Sequence, residues 1–263
     1  MKINNTHIST LQAHLLDGSL ASLLSYPALK TTAKNDWAEH HGTEYDLQNL
    51  YLKSKEITLK ITLPISQWED FKNLILTNLY ADYYFSMIDR TYRLRFVGFG
   101  KTEHFAGSII TEIKLSDDEP MKGYVYENPE FNAYDTGATL NGKKLSDYGV
   151  LLLQGSKEEI IKKSNIKNTL IIENPPKHGV FTYTRPLVFQ ERTATLKCFI
   201  HQDKVDFFKG YEAFLYDLTK FNGSVLSYQN KAYPCIYKES KITDFSMQEN
   251  KIWCEFDLNL IFI

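Results

Sequence analysis

The sequence predicts a mainly β (α+β) protein of two tandem, internally duplicated antiparallel β-sandwich or half-barrel domains, each with one principal α-helix. Three observations predict it. Composition leans to strands, with 17 Tyr and 16 Phe in 263 residues, residue types that suit a pleated surface. Two stretches, Ile57–Leu63 and Ala194–Ile200, alternate apolar and outward-facing residues, the period of a half-buried strand. These stretches, and much around them, are related by one ungapped offset of 137 residues.

The offset is clearest in the segment from Leu140 to Ser156. Asn141-Gly142 is a turn pair that favours positive φ, Leu145-Ser146-Asp147-Tyr148-Gly149 is a second turn signal, and Val150–Leu153 reads as a buried strand. A worn copy opens the chain, with Asn4, Ser9, Gly18 and Ser19 at the places of Asn141, Ser146, Gly155 and Ser156. The same offset pairs Lys30 with Lys167, Thr32 with Thr169, His41-Gly42 with His178-Gly179, and Leu50 with Leu187. It pairs Thr58-Leu59-Lys60 with Thr195-Leu196-Lys197, and Phe71-Lys72 with Phe208-Lys209. Two long copies imply tandem domains rather than a solenoid. The expected division is 1–117, a junction over 118–137, and 138–263, each domain large enough for its own core.

Within the first copy, Gly18 to Lys34 has weak periodicity and reads as a long loop or a short helix. Trp37 to Leu47 reads as a strand end, a polar turn and a restart. Pro64 ends the Ile57–Leu63 strand. Ser66-Gln67-Trp68-Glu69 is a capping-box pattern starting a helix to about Tyr80, with Trp68, Phe71, Leu74, Ile75 and Leu79 on its apolar stripe. Asp203 is the corresponding cap in the second copy, and Val205, Phe208, Tyr211, Leu215 and Leu218 form the stripe. Gly210 weakens that helix by about 1 kcal/mol. Strands are expected at Phe85–Ile88, Tyr92–Phe99 and Ser108–Leu115, then at Val225–Tyr228, Ala232–Tyr237, Ile242–Met247 and Lys251–Ile263. Ser116-Asp117-Asp118-Glu119-Pro120 breaks the pattern, and Gly123–Tyr126 offers an edge strand in the junction.

Formal net charge is −2 with basic residues scattered, so no nucleic-acid or acidic-membrane footprint is read. Cys198, Cys235 and Cys254 are odd in number and form no C-x-x-C, which argues against a disulfide framework. The first residues carry no export signal, and no apolar run has the length of a membrane helix. His40-His41, His104, His178 and His201 lack metal-ligand spacing, and the repeated His-Gly is read as turn chemistry. Gly98-Phe99-Gly100 is half a dinucleotide fingerprint and is read as a bend ending a strand. Asp117-Asp118-Glu119 is read as a solvated loop. Tyr83, Tyr84, Tyr124 and Tyr126 suit core or subunit interface, with sugar stacking as the other use. No catalytic, cofactor or metal residue is assigned, and no enzyme activity or cofactor is expected.

A domain opening hydrophobic-Asn-Gly-x-x-Leu-Ser-Asp-Tyr-Gly, followed by a strand such as Glu191–Ile200 and then a capped helix, resembles the distal tail proteins of long-tailed phages. Asp36–Leu47 leading into Lys53–Leu59 is similar in style in the first copy. The resemblance covers most of both halves. It implies two tail-tube-like β domains in a structural component of a phage or prophage tail, a distal-tail or baseplate-hub protein that forms a ring at the end of the tail tube. It transfers no catalytic residue. The implied partners are the chain itself in a ring, six chains in two layers being favoured over three chains in one, together with tail-tube and tail-tip or fibre proteins. The implied location is the virion tail, after synthesis in the bacterial cytoplasm. The alternative reading is a tandem β-sandwich that binds carbohydrate as an adhesin.

Overall fold

The computed structural model describes residues 1–131, 134–168, 171–173, 178–182, 186–220 and 223–263; Thr169, the expected partner of Thr32, lies outside them. The first half runs β1 (Lys2–Ile3), β2 (Thr6–His7), β3 (His14–Leu15), α1 (Ser19–Leu24), β4 (Lys34–Asn35), β5 (Glu44–Tyr45) and β6 (Lys55–Pro64). It continues with α2 (Trp68–Leu76), β7 (Tyr80–Phe85), β8 (Arg90–Phe105) and β9 (Ser108–Asp117). The second half runs β10 (Ala138–Leu140), β11 (Lys143–Lys144), β12 (Leu151–Leu152), α3 (Ser156–Ile161), β13 (Ile171–Glu173), β14 (Val180–Thr182) and β15 (Arg192–Asp203). It closes with α4 (Lys204–Leu218), β16 (Ser224–Tyr228), β17 (Lys231–Gln248) and β18 (Lys251–Phe262).

The fold is mostly β and antiparallel, with two seven-stranded sheets. Their orders are β2-β1-β7-β8-β9-β6-β3 and β11-β10-β16-β17-β18-β15-β12. Each strand of one order holds the place of its counterpart in the other, β6 with β15 at the centre of the strand-to-helix passage. Turn chemistry explains the openings of both halves. Asn4 and Asn141 sit at φ 50°, Gln12 and Gly149 at φ 51° and 76°, so the left-handed residues fall at the same places. Glycine at 149 has a further reason: a Cβ there would meet the Gln202 side chain at 2.3 Å.

The strand phases follow the alternation. Ile57, Leu59, Ile61 and Leu63 are buried on β6, and Ala194, Leu196, Cys198 and Ile200 on β15. The helices stand against these rows. Phe71 and Ile75 are buried on α2, and Phe207, Phe208, Tyr211, Phe214, Leu215 and Leu218 on α4. One continuous apolar cluster takes in both halves.

Several details differ from the sequence reading. The capping box does not form: Ile65–Gln67 is a turn of 3-10 helix, α2 starts at Trp68, and neither the Pro64 nor the Gln67 cap has a side-chain bond. Asp203 does stand at the cap of α4, yet its carboxylate bonds no backbone N–H of that helix. α2 stops at Leu76, because β7 must begin at Tyr80, and this leaves Leu79 exposed. Val205 is exposed, and Phe207 takes the buried place beside Phe208. The strand expected at Phe85–Ile88 lies earlier, since the turn before β8 puts Asp89 at φ 53°. Ala232–Tyr237 and Ile242–Met247 are one strand, its two register shifts falling at Tyr237/Glu239 and Ile242/Asp244. Gly98-Phe99-Gly100 lies inside β8, where one shift falls at Phe96/Gly98 and the next, at Phe99/Thr102, takes in Gly100, so it disturbs the ladder without ending the strand. A Cβ at Gly100 would meet Glu112 at 2.8 Å. Gly123–Tyr126 forms no strand.

Candidate interface and the cleft between the halves

The halves meet through the stretch after α1. Leu29 N–H donates to the Lys238 carbonyl at 2.8 Å, and the Ser25 hydroxyl accepts from Ile242 N–H at 3.2 Å. These bonds occupy the side of β17 that β16 leaves open beyond Cys235. Tyr26 stacks on Tyr211 with ring centroids 4.1 Å apart. Its hydroxyl donates to the Tyr211 carbonyl, and the Tyr211 hydroxyl returns a bond to the Leu24 carbonyl at 2.8 Å. Tyr237 donates to the Pro27 carbonyl at 2.9 Å. Burial pushes both the Tyr26 and Tyr211 hydroxyls far up, so they stay protonated donors.

A second contact runs the other way. The Lys167 ammonium is buried against the β4–β5 hairpin, where it meets the Asp36 carboxylate and donates to the Trp37 carbonyl at 2.8 Å and the Gly42 carbonyl at 2.5 Å. His41 Nδ1 accepts from Phe189 N–H at 3.1 Å, its ring stacked on Phe189. Gly42 N–H donates to the Phe189 carbonyl at 2.8 Å. His41-Gly42 is therefore turn chemistry that also docks the second half. Gly42 is at φ 64°, and a Cβ there would lie 3.0 Å from the Ile263 backbone.

Between the halves lies a cleft of about 960 Å³. Lys55 and Asp117 face each other in register on β6 and β9, and Glu212 arrives from α4. Desolvation pushes the Lys55 amine down to about 8 and raises the Asp117 and Glu212 carboxyls. Lys55 Nζ donates a hydrogen bond to the Leu23 carbonyl. Arg90 reaches Glu212 at 3.5 Å and lies over the Phe208 ring at 4.3 Å. Perturbed groups in a cleft are a functional-site signal; here the contacts are structural, Lys55 held by the Leu23 carbonyl, Asp117 accepting from Glu119 N–H at 3.2 Å and Glu212 paired with Arg90 across the two halves. Sequence reading missed this set because Lys55 and Glu212 are far apart in the chain; only the pairing of 55 with 117 follows from strand register.

The other sequence candidates resolve as follows. Asp118 is held well below the usual carboxylate range by Arg95, at 2.5 and 2.9 Å, with help from Ser116 and Tyr80; it is a structural anchor rather than a loop charge. Tyr83 is buried. Tyr84 donates to Asp89 at 2.9 Å. Tyr124 and Tyr126 pack on Tyr216, and Tyr126 donates to Asp217 at 2.9 Å. Tyr148 of the repeated turn also donates to buried Asp217. Cys198, Cys235 and Cys254 are free and buried, and burial pushes their thiols up, Cys235 to about 12. Among the described residues, no three His, Cys, Asp or Glu side chains form a metal-binding group, and no helix is long and apolar enough to cross a membrane.

The chain matches no protein-family model, and no curated protein matches it. Among solved structures it is weakly similar to the phage SPP1 Dit (gp 19.1) protein, described as a paradigm of the hub adsorption apparatus in phages that infect Gram-positive bacteria. The identity is 14%, the TM-score is 0.34, and the match covers 48% of this chain and 49% of that one. The match thus spans about half the length of each.

Proposed function

We propose that this protein is a structural component of a phage or prophage tail, a distal-tail or baseplate-hub subunit that forms a ring at the end of the tail tube. Two tandem copies of one tail-tube-like β domain, residues 1–117 and 138–263, build it, with 118–137 as the junction. The observation that carries the reading is the recurrence of one seven-strand order in both halves, on the turn-strand-helix motif that resembles the distal tail proteins. Tyr148 and the Asn-Gly turn, the most distinctive residues of that motif, work as scaffold: Tyr148 secures Asp217, and Asn141 accepts from Val225 N–H at 2.8 Å. A scaffold motif suits an assembly protein with no cofactor and no catalytic residue.

Sheet edges favour assembly. Open strand edges are liabilities unless another chain covers them, and cyclic symmetry closes a head-to-tail contact without a free end. The partners are further copies of the chain, the tail tube on one face and tail-tip or fibre proteins on the other. Light scattering at high concentration, followed by electron microscopy of the intact particle, tests the reading. A rotational ring at the distal end of the tube is expected. A lone compact monomer in the particle, or a dimer without rotational symmetry, defeats it.

A further inference from the structure

The contact between the two halves uses one surface of each, and the chain carries each surface twice. β17 and β8 share a one-residue bulge, with Lys238 and Val97 as the unpaired residues. Lys238 is the residue whose carbonyl receives Leu29 N–H. On β8, the ladder with β7 ends at Arg95, one further bond running from Phe96 N–H to the Leu79 carbonyl at 2.9 Å, and among the described residues no strand pairs with Val97–Phe105 on that side. Val97 is 53% exposed.

The complementary surface is also duplicated. Leu29 bridges Leu52, and Ile166, 137 residues on, bridges Phe189 in the same way. Leu29 N–H is used by β17, whereas Ile166 is exposed and meets no strand edge among the described residues. The apolar neighbours change burial accordingly. Leu24 is 4% exposed and its counterpart Ile161 48%; Leu50 is 6% exposed and its counterpart Leu187 60%. Ordinary surface positions do not need a large aliphatic residue, and these sit where the first copy buries one.

Charge follows the same rule. Lys167 pairs with Asp36 inside the chain. Shifted by the offset, that pair becomes Lys30 and Glu173, both exposed. Neither makes an ion pair within the chain among the described residues.

We infer that the contact between the halves is repeated between chains. The Ile161–Ile166 segment of one copy covers the open β8 edge of the next, with Ile166 N–H donating to the Val97 carbonyl and Lys30 of that next chain pairing with Glu173. The occupant of both open surfaces is a second copy of this chain, and first and second halves alternate around a single layer. The inference rests on the proposed ring and specifies its contact. Since the contact is head-to-tail, it closes only as a ring.

Cysteine pairs in the full chain test it. Leu29→Cys with Lys238→Cys is the internal control: backbone partners across a strand edge lie within disulfide reach, and an intrachain bridge is expected. Val97→Cys with Ile166→Cys is then expected to give a covalent ladder ending in one closed species under mild oxidant. Each single variant gives at most a dimer. Lys30→Glu and Glu173→Lys, each alone, should weaken self-association about tenfold, and together restore it, as a specific charge pair does. A ring seen by microscopy with no Val97–Ile166 ladder and no charge-swap rescue overturns this contact and leaves the ring standing. A monomer at all concentrations, with no ladder and no ring in the particle, overturns both.

Discussion

At the scale of single residues, Gly210 shows how packing reverses a propensity. Alanine is favoured over glycine by about 1 kcal/mol inside a helix. At position 210 a Cβ would lie 2.3 Å from the Tyr148 carbonyl oxygen and 2.9 Å from the Phe131 ring. Glycine lets α4 press on the repeated turn, and its helix cost is offset by that approach. Gly210→Ala is expected to destabilise by about 1–3 kcal/mol, the range for overpacked cores; urea melts that show a gain would mean the helix can move away freely. Lys55 gives a pH signature. Its amine, ordinarily near 10.5, is pushed down to about 8, chiefly by desolvation, with Asp117 and Glu212 opposing. A folded value below the unfolded one means the charged amine costs stability below about pH 8, and that cost fades as pH rises towards 10.5. Across that window the native chain should gain on Lys55→Met by at most about 3 kcal/mol. Parallel melts at pH 7 and pH 10 check the sign.

At the scale of elements, the two principal helices diverge. α2 has nine residues and α4 fifteen, and the extra length carries Leu215, Asp217 and Leu218 onto the junction and the turn. Ser66 and Glu69 match a capping box in sequence, but the 3-10 turn Ile65–Gln67 places the helix start one residue later than the pattern requires, with Gln67 at the cap. Ser66→Ala is therefore expected to cost less than about 0.5 kcal/mol, where a working cap would cost about 1 kcal/mol. The helix faces themselves matter far more. Phe71→Ala and Phe208→Ala each empty a buried site and should cost about 3–5 kcal/mol in denaturant melts.

At the scale of the whole molecule, the halves share one apolar cluster, with Tyr26 of the first half stacked on Tyr211 of the second. Residues 138–263 alone would expose Tyr211, Tyr237 and the open edge of β17. The intact chain should unfold in a single transition with equal calorimetric and van't Hoff enthalpies, and two resolved transitions would count against a shared core. Removing residues 1–30 should make the remainder aggregate, because it uncovers that strand edge.

Local signals determined a good deal of this protein. Alternation at period two identified β6 and β15 and their buried faces, because a one-residue slip would turn an entire apolar row to water. Asn-Gly and the second turn fixed where positive φ falls, because few residues tolerate it. Both signals recur at an offset of 137 residues, and the two sheets share one strand order. Only the tertiary structure decided the rest. The cap at Ser66, the continuous run of β17 and the place of Gly98 depend on register and bulges, which a local pattern does not encode. The Lys167 pocket, the Tyr26–Tyr211 exchange and the Arg90–Glu212 ion pair join residues distant in sequence. Their partners are chosen by how the two sheets come together, and that packing exists only once the whole chain has folded.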